Sequence, residues 1–223
     1  MVHVYKNFQR PEATLIDSFR KLDAATVHEA AGRIGAVRSN IKPLIRGMKV
    51  VGPALTVRCH PKDNLMLHKA IQVAKPGDVI IAATDSFPEG GYWGGLMATS
   101  AMARGIAGLV IDGSVRDSEE IVEMGFPVFC RGTCVRGTSK QHLGLVNHPI
   151  FIGEVVVNPG DLVVADSDGV VIVPLQHAGD VLDAAQKRVN KEIDKRAELQ
   201  KGTPSVVLNR LDAVFESLGL VEE

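Results

Sequence analysis

Arg116 and Asp117 stand side by side, with Glu119 and Glu120 just behind them. Ahead of them runs a set of glycines, Gly90, Gly91, Gly94 and Gly95, and twenty residues separate Gly95 from Arg116. Each residue type suits a different part of one reaction on an anion. The Arg116 guanidinium is a planar fork that can hold a carboxylate or a developing oxyanion. Asp117 is a hard oxygen donor, and Glu120 follows about one helical turn later, so both carboxylates can face one point. One carboxylate plus water suits magnesium or manganese, which keep several waters and need few protein ligands. Peptide N–H groups at Gly94, Gly95, Leu96 and Met97 would open a helix unpaired, and such a terminus binds a carboxylate or phosphate. A buried Arg–Asp pair bracing a turn would have the same spacing, and the pair alone does not choose between the two readings.

For these groups to meet, the intervening chain must fold as a β-α-β unit. The glycine-rich loop leads into a helix of small and apolar residues, Leu96 to Ala103, which stops at Gly105. Gly108–Ile111 is a short apolar run without alternation, as in a strand buried on both faces. Loops at the C-terminal ends of such strands lie side by side, where these folds bind ligands. Gly94–Gly95 and Arg116–Asp117 are therefore expected to face one crevice. Arg104 and Arg116 are the basic residues of this stretch, so it offers no lysine for an imine.

The flanking chain supplies the frame. Glu12 to Lys21 has helical spacing at Leu15, Phe19 and Leu22. Asp23 reads as the N-cap of a second helix that Gly32 ends and that carries His28 and Glu29, both expected on a solvated face. Met48–Cys59 reads as a strand broken at Gly52-Pro53, and Asn64–Val73 as a short amphipathic helix. KPGDVIIAATDS and NPGDLVVADSDG are alike, through an internal duplication or through one turn chemistry used twice before a strand. Pro127–Cys130, Phe151–Val157 and Gly169–Pro174 read as further strands, with a hairpin turn at Asp166–Gly169. Residues 131–149 fit no element. Ala178–Lys201 is a long charged helix with a thin apolar stripe, suited to packing along another subunit or a domain edge. After Gly202-Thr203-Pro204, Val206–Leu218 reads as one last amphipathic helix. The sum is an α/β class with six to eight strands.

The bulk numbers restrict the function. A chain of 223 residues, 45% hydrophobic and 23% charged, suits a soluble globular protein. A net charge of −1 and 4% aromatic content argue against a nucleic-acid partner or an anionic membrane surface. No apolar run could span a bilayer and Met1–Pro11 has no signal pattern, so a cytoplasmic location is expected. The three cysteines, Cys59, Cys130 and Cys134, form no CxxC pair, and the seven histidines form no HxH or HExxH. There is also no GxGxxG after a strand and no P-loop lysine, which leaves a nucleotide-binding or methyltransferase-like reading without support.

Gly95, twenty residues, Arg116-Asp117, two residues and Glu120 fit G-x20-R-D-x2-[ED]. This resembles the signature of the RraA-like family of metal-dependent pyruvate aldolases, and the likeness extends over nearly the whole chain. The resemblance implies an α-β-β-α sandwich of the swivelling type over 1–175 and a helical extension over 176–223 that packs on the core and on a neighbouring subunit. It implies a lyase of aromatic-compound degradation that cleaves 4-hydroxy-4-methyl-2-oxoglutarate or 4-carboxy-4-hydroxy-2-oxoadipate through a pyruvate enolate, with oxaloacetate decarboxylation as a side activity. By the same resemblance a small oxo-acid substrate is held by the backbone of Gly94, Gly95, Leu96 and Met97 and by Arg116. Asp117 binds Mg2+ or Mn2+, Glu120 and Glu29 hold its waters, and Glu192 arrives from a neighbour in a homotrimer or homohexamer. Asp194 and Glu198 share that helix and compete for the last role. The family also contains regulators that bind ribonuclease E without a metal. They are shorter at the C-terminus and tend to lack the last acid of the motif, whereas this chain keeps Glu120 and extends to Glu223.

Overall fold

Val50–Arg58 forms one unbroken strand of nine residues, in place of the expected break at Gly52-Pro53. What changes at Pro53 is the partner. Val50–Pro53 pairs antiparallel with Leu162–Ala165, and Ala54–Arg58 pairs parallel with Val79–Ala83. Proline has no N–H to give a ladder, so it fits the point where one ladder hands over to another. Gly52 is needed for close approach, since a β-carbon there would lie 2.3 Å from the Gly77 carbonyl oxygen.

The computed structural model describes residues 3–221. In chain order the elements are β1 (His3–Val4), α1 (Ala13–Phe19), α2 (Ala24–Ala30), β2 (Lys42–Pro43), β3 (Val50–Arg58), α3 (Leu65–Val73), β4 (Val79–Ala83) and β5 (Gly91–Trp93). Then come α4 (Gly95–Ala103), β6 (Gly108–Ile111), β7 (Ser114–Val115), α5 (Ser118–Glu123), β8 (Val128–Cys130), β9 (Gly132–Thr133), β10 (Leu145–Val146) and β11 (Ile150–Ile152). The chain ends with β12 (Val155–Val157), β13 (Leu162–Ala165), β14 (Val170–Val173), α6 (Ala178–Gln200), α7 (Ser205–Asn209) and α8 (Asp212–Ser217).

Alternating side chains of the strands build three cores and four layers. Leu55, Ile80, Leu109 and Val128 face α3 and α4, while their neighbours Ala54, Val79, Val110 and Phe129 face the other way. That second face meets Val163, Ala165, Val170 and Ile172, so sheet packs on sheet. Val51, Leu162, Val164, Val171 and Val173 point outward again, against Phe19, Val27, Val181 and Ala185 of α1, α2 and α6. Helices, sheet, sheet, helices is the α-β-β-α sandwich expected, with β3 common to both sheets. Among the described residues, no helix is long and apolar enough to cross a membrane.

Several local expectations need correction. Fourteen strands occur among the described residues, because many are two or three residues long. Phe151–Val157 is not one strand but the hairpin β11–β12, turned at Gly153 and Glu154, both of positive φ. The final helix is two, α7 and α8, separated by Arg210 at φ 55°. Asp23 occupies the N-cap of α2 without capping it: the Ala24 N–H donates instead to Asp166 Oδ2, 2.7 Å away in the β13–β14 turn. The two Pro-Gly-Asp turns do share one chemistry. Gly77 and Gly160 take φ of 88° and 91°, and each aspartate accepts a backbone N–H three residues back at 2.8 Å.

Candidate active site

Three short parallel strands, β5, β7 and β9, continue the chain from β4, β6 and β8 and pair with one another. The end of β5 therefore lies beside the end of β7, and the Arg116 N–H donates to the Trp93 carbonyl at 2.8 Å. The glycine loop and the Arg-Asp pair meet because their strands are neighbours.

Asp117 has a left-handed backbone, φ 55°, and stands at the N-cap of α5 without capping it. A non-glycine residue held there costs about 1 kcal/mol, least for Asp and Asn. The turn sends its carboxylate across to α4, where Oδ2 accepts the Gly95 N–H at 3.1 Å. Arg116 Nε lies 3.7 Å from the same oxygen, and the two side chains remain 50% and 44% exposed. A pair so exposed adds little stability, so bracing the turn does not account for it.

The glycines admit these carboxylates. A β-carbon at Gly94 would lie 2.5 Å from Asp117 Oδ2, and one at Gly95 would lie 2.0 Å from Glu120 Oε2. Two acids thus converge on the start of α4. Of the four peptide groups expected to be open, Gly95 serves Asp117, and Met97 donates to the Gly94 carbonyl at 3.1 Å. Gly94 and Leu96 have no protein acceptor among the described residues.

Gly94, Leu96, Met97, Arg116 and Asp117 line one open cavity of about 270 Å³. Gly91 adds to this wall, and the rest comes from residues the sequence did not single out: Asn64, His68, Tyr92, Gly137, Thr138 and Lys140. Asn64 is buried, its Nδ2 donates to the Tyr92 carbonyl at 2.9 Å, and its Oδ1 has no partner among the described residues. A buried acceptor left open next to a cavity is costly unless a ligand or water fills the role. Burial pushes the His68 pKa down, and Lys140 beside it adds to the effect, which favours the uncharged imidazole. Lys140 brings to the cavity an amine that the central stretch lacks.

Glu29 and Glu192 lie elsewhere. They sit on α2 and α6, in the outer helical layer, and neither lines the cavity. Arg188 joins them, 3.5 Å from Glu29 and 2.9 Å from Glu192, while Arg33 contacts Glu29 at 3.2 Å. A single chain gathers Gly94 to Met97, Arg116, Asp117 and Glu120 and leaves these two acids together but apart from the rest.

The donor set suits a hard divalent cation. Asp117 and Glu120 offer oxygen atoms at a solvent-open point, and among the described residues no three His, Cys, Asp or Glu side chains gather at one place. A cation here would rest on one or two carboxylates and keep most of its waters, as magnesium does.

Residues 13–172 match the model of the RraA-like family, described as Aldolase/RraA. A Halalkalibacterium halodurans protein named "Putative 4-hydroxy-4-methyl-2-oxoglutarate aldolase" is 38% identical over 79% of this chain and 84% of its own. The crystal structure of Streptomyces coelicolor RraAS2, described as an unusual member of the RNase ES inhibitor RraA protein family, superposes with a TM-score of 0.76. It is 32% identical over 85% of this chain and all of its own. A Pseudomonas syringae protein superposes with a TM-score of 0.78, at 28% identity over 88% of this chain and 97% of its own. The chain is a member of the RraA-like family.

Proposed function

We propose that the protein is a divalent-metal-dependent aldolase that cleaves 4-hydroxy-2-oxo diacids to pyruvate and a second oxo acid. The observation that carries this reading is the half-exposed Arg116–Asp117 pair facing an open cavity that also holds Lys140. Two cations in one hollow suit a substrate with two anionic ends. The aldolase name of the Halalkalibacterium halodurans relative supports the same reaction class.

Asp117 would hold Mg2+ or Mn2+, with Glu120 beside it. Such an ion, when bound, supplies Lewis-acid polarisation of the 2-oxo group. The chain's own groups do the rest. Arg116 holds the 2-oxo acid end and stabilises negative charge as the C3–C4 bond breaks and pyruvate leaves as its enolate. The open peptide N–H groups of Gly94 and Leu96 help fix the substrate carboxylate. Asn64 Oδ1 accepts a hydrogen bond from the 4-hydroxyl, and Lys140 pairs with the distal carboxylate. The hydroxyl proton must move to a base, for which a carboxylate or the uncharged His68 is available. Glu29 and Glu192 would enter from a neighbouring subunit of a homotrimer or homohexamer. Oxaloacetate decarboxylation, which passes through the same enolate, follows as a side activity.

The test is pyruvate release from 4-carboxy-4-hydroxy-2-oxoadipate with and without chelator. Activity should vanish with EDTA and return with Mg2+ or Mn2+. Full activity in EDTA, with pyruvate trapped on Lys140 by borohydride, would replace the metal reading by an imine. The likeness to RraAS2 supports a second reading, a regulator that binds ribonuclease E. Absence of lyase activity at any metal concentration, with ribonuclease E retained on the protein, would favour it.

A further inference from the structure

Lys140 sits on an exposed loop, yet residues on both sides of it are tied to one buried group. The Asp63 side chain is 1% exposed, and its Oδ2 accepts from Ser139 Oγ at 2.7 Å, the Gln141 N–H at 2.7 Å and the His142 N–H at 3.0 Å. His142 Nδ1 stands 3.3 Å away, and Oδ1 takes the Leu65 N–H at 2.9 Å. Backbone bonds reinforce the tie: the Ser139 N–H donates to the Lys62 carbonyl at 2.8 Å, and the Asn64 N–H donates to the Ser139 carbonyl at 3.1 Å. Burial by itself would raise the Asp63 pKa. The bonds from Gln141, Ser139, Leu65 and His142 outweigh it and hold the carboxyl well below the ordinary range. The same segment reaches the cavity at its other end, where the Lys62 N–H donates to the Tyr92 hydroxyl at 2.9 Å.

We propose that Asp63 is the positioning residue for Lys140 and, through it, sets the cavity's preference for substrates with a second carboxylate. This rests on reading the cavity as a diacid site. A neutral amide at position 63 offers one acceptor oxygen and turns an NH2 toward groups that are themselves donors. Residues 139–142 would then lose their common anchor, and Lys140 would hold its place only part of the time.

The experiment compares Asp63→Asn, Lys140→Ala and the double variant on 4-hydroxy-4-methyl-2-oxoglutarate, with the mono-acid 4-hydroxy-2-oxopentanoate as control. Asp63→Asn should raise KM for the diacid about tenfold with kcat within about twofold, since a loss of uniform binding moves KM alone. Lys140→Ala should do the same, and the double variant should be no worse than either, because both changes remove one interaction. The mono-acid kinetics of Asp63→Asn should stay within about twofold of the parent. Equal losses on both substrates, a fall in kcat alone, or additive losses in the double variant would overturn the proposal. If Asp63→Asn does not fold, Ser139→Ala should shift KM for the diacid in the same direction by a smaller factor, and an unchanged KM would overturn it. Binding tests the point apart from turnover: with magnesium present, the parent should bind 2-oxoglutarate more tightly than pyruvate and Asp63→Asn should lose that preference. A preference kept by the variant, or missing from the parent, would overturn the assignment whether or not the aldolase reading stands.

Discussion

A β-carbon placed on Gly95 meets the far end of a flexible side chain, the Glu120 carboxylate, and not backbone. Gly95→Ala should therefore leave the fold intact and push one acid off the helix start. Its melting temperature should fall by no more than about 3 °C, while pyruvate release drops at least about tenfold. Unchanged turnover in a folded Gly95→Ala variant would remove Glu120 from the chemistry. The neighbouring position is less forgiving. At Gly94 the added carbon presses on Asp117 Oδ2 at 2.5 Å and on the Arg116 side chain at 3.2 Å, so two groups would be displaced together. The glycines serve here less as flexible hinges than as missing atoms, because neither Gly94 nor Gly95 needs a left-handed backbone.

Among the elements, α2 shows how a local rule can point to the wrong residue. Asp23 has the right position for a cap, yet its side chain is 78% exposed and reaches Lys49 at 3.4 Å, while Asp166 receives the Ala24 N–H. Asp166→Ala should cost about 1 kcal/mol in denaturant unfolding, and Asp23→Ala less than about 0.5 kcal/mol. The reverse order would return the cap to Asp23. The same contrast separates what the sequence made legible from what it did not. The helices α3, α4 and α6 and the strands β4 and β6 follow from periodicity and from their glycine or proline ends, which are properties of neighbouring residues. The Arg116–Asp117 crevice follows from β-α-β geometry. Residues 131–149 were unreadable because their order comes from β7, Asp63 and β3, all outside the stretch, and Lys140 was missed with them. The β11–β12 hairpin was hidden because its turn interrupts an apolar run with only Gly153 and Glu154.

On the scale of the whole molecule, Glu29 and Glu192 stand in one helical layer while helices of the other wall the cavity. Their layer is the outer helical one, and beyond it α6 carries Ile193 at 60% exposure, with Leu218 after α8 at 79%. Apolar groups left in water along that tail suit burial against another copy. Co-expressing inactive Glu192→Ala and inactive Asp117→Ala chains should restore about a quarter of parental activity, the chance that an intact Asp117 meets an intact Glu192 across an interface. No recovery from co-assembled chains would confine each site to one polypeptide. A different consequence follows from β3, which no sheet owns alone. Peeling away either half of the sandwich strips a ladder from the other, so the two should melt as one body. The lone tryptophan, Trp93, stacked on Phe126 in the core under α3 and α4, should then lose its fluorescence signature at the same midpoint as helix signal lost from the distant α1–α2–α6 face.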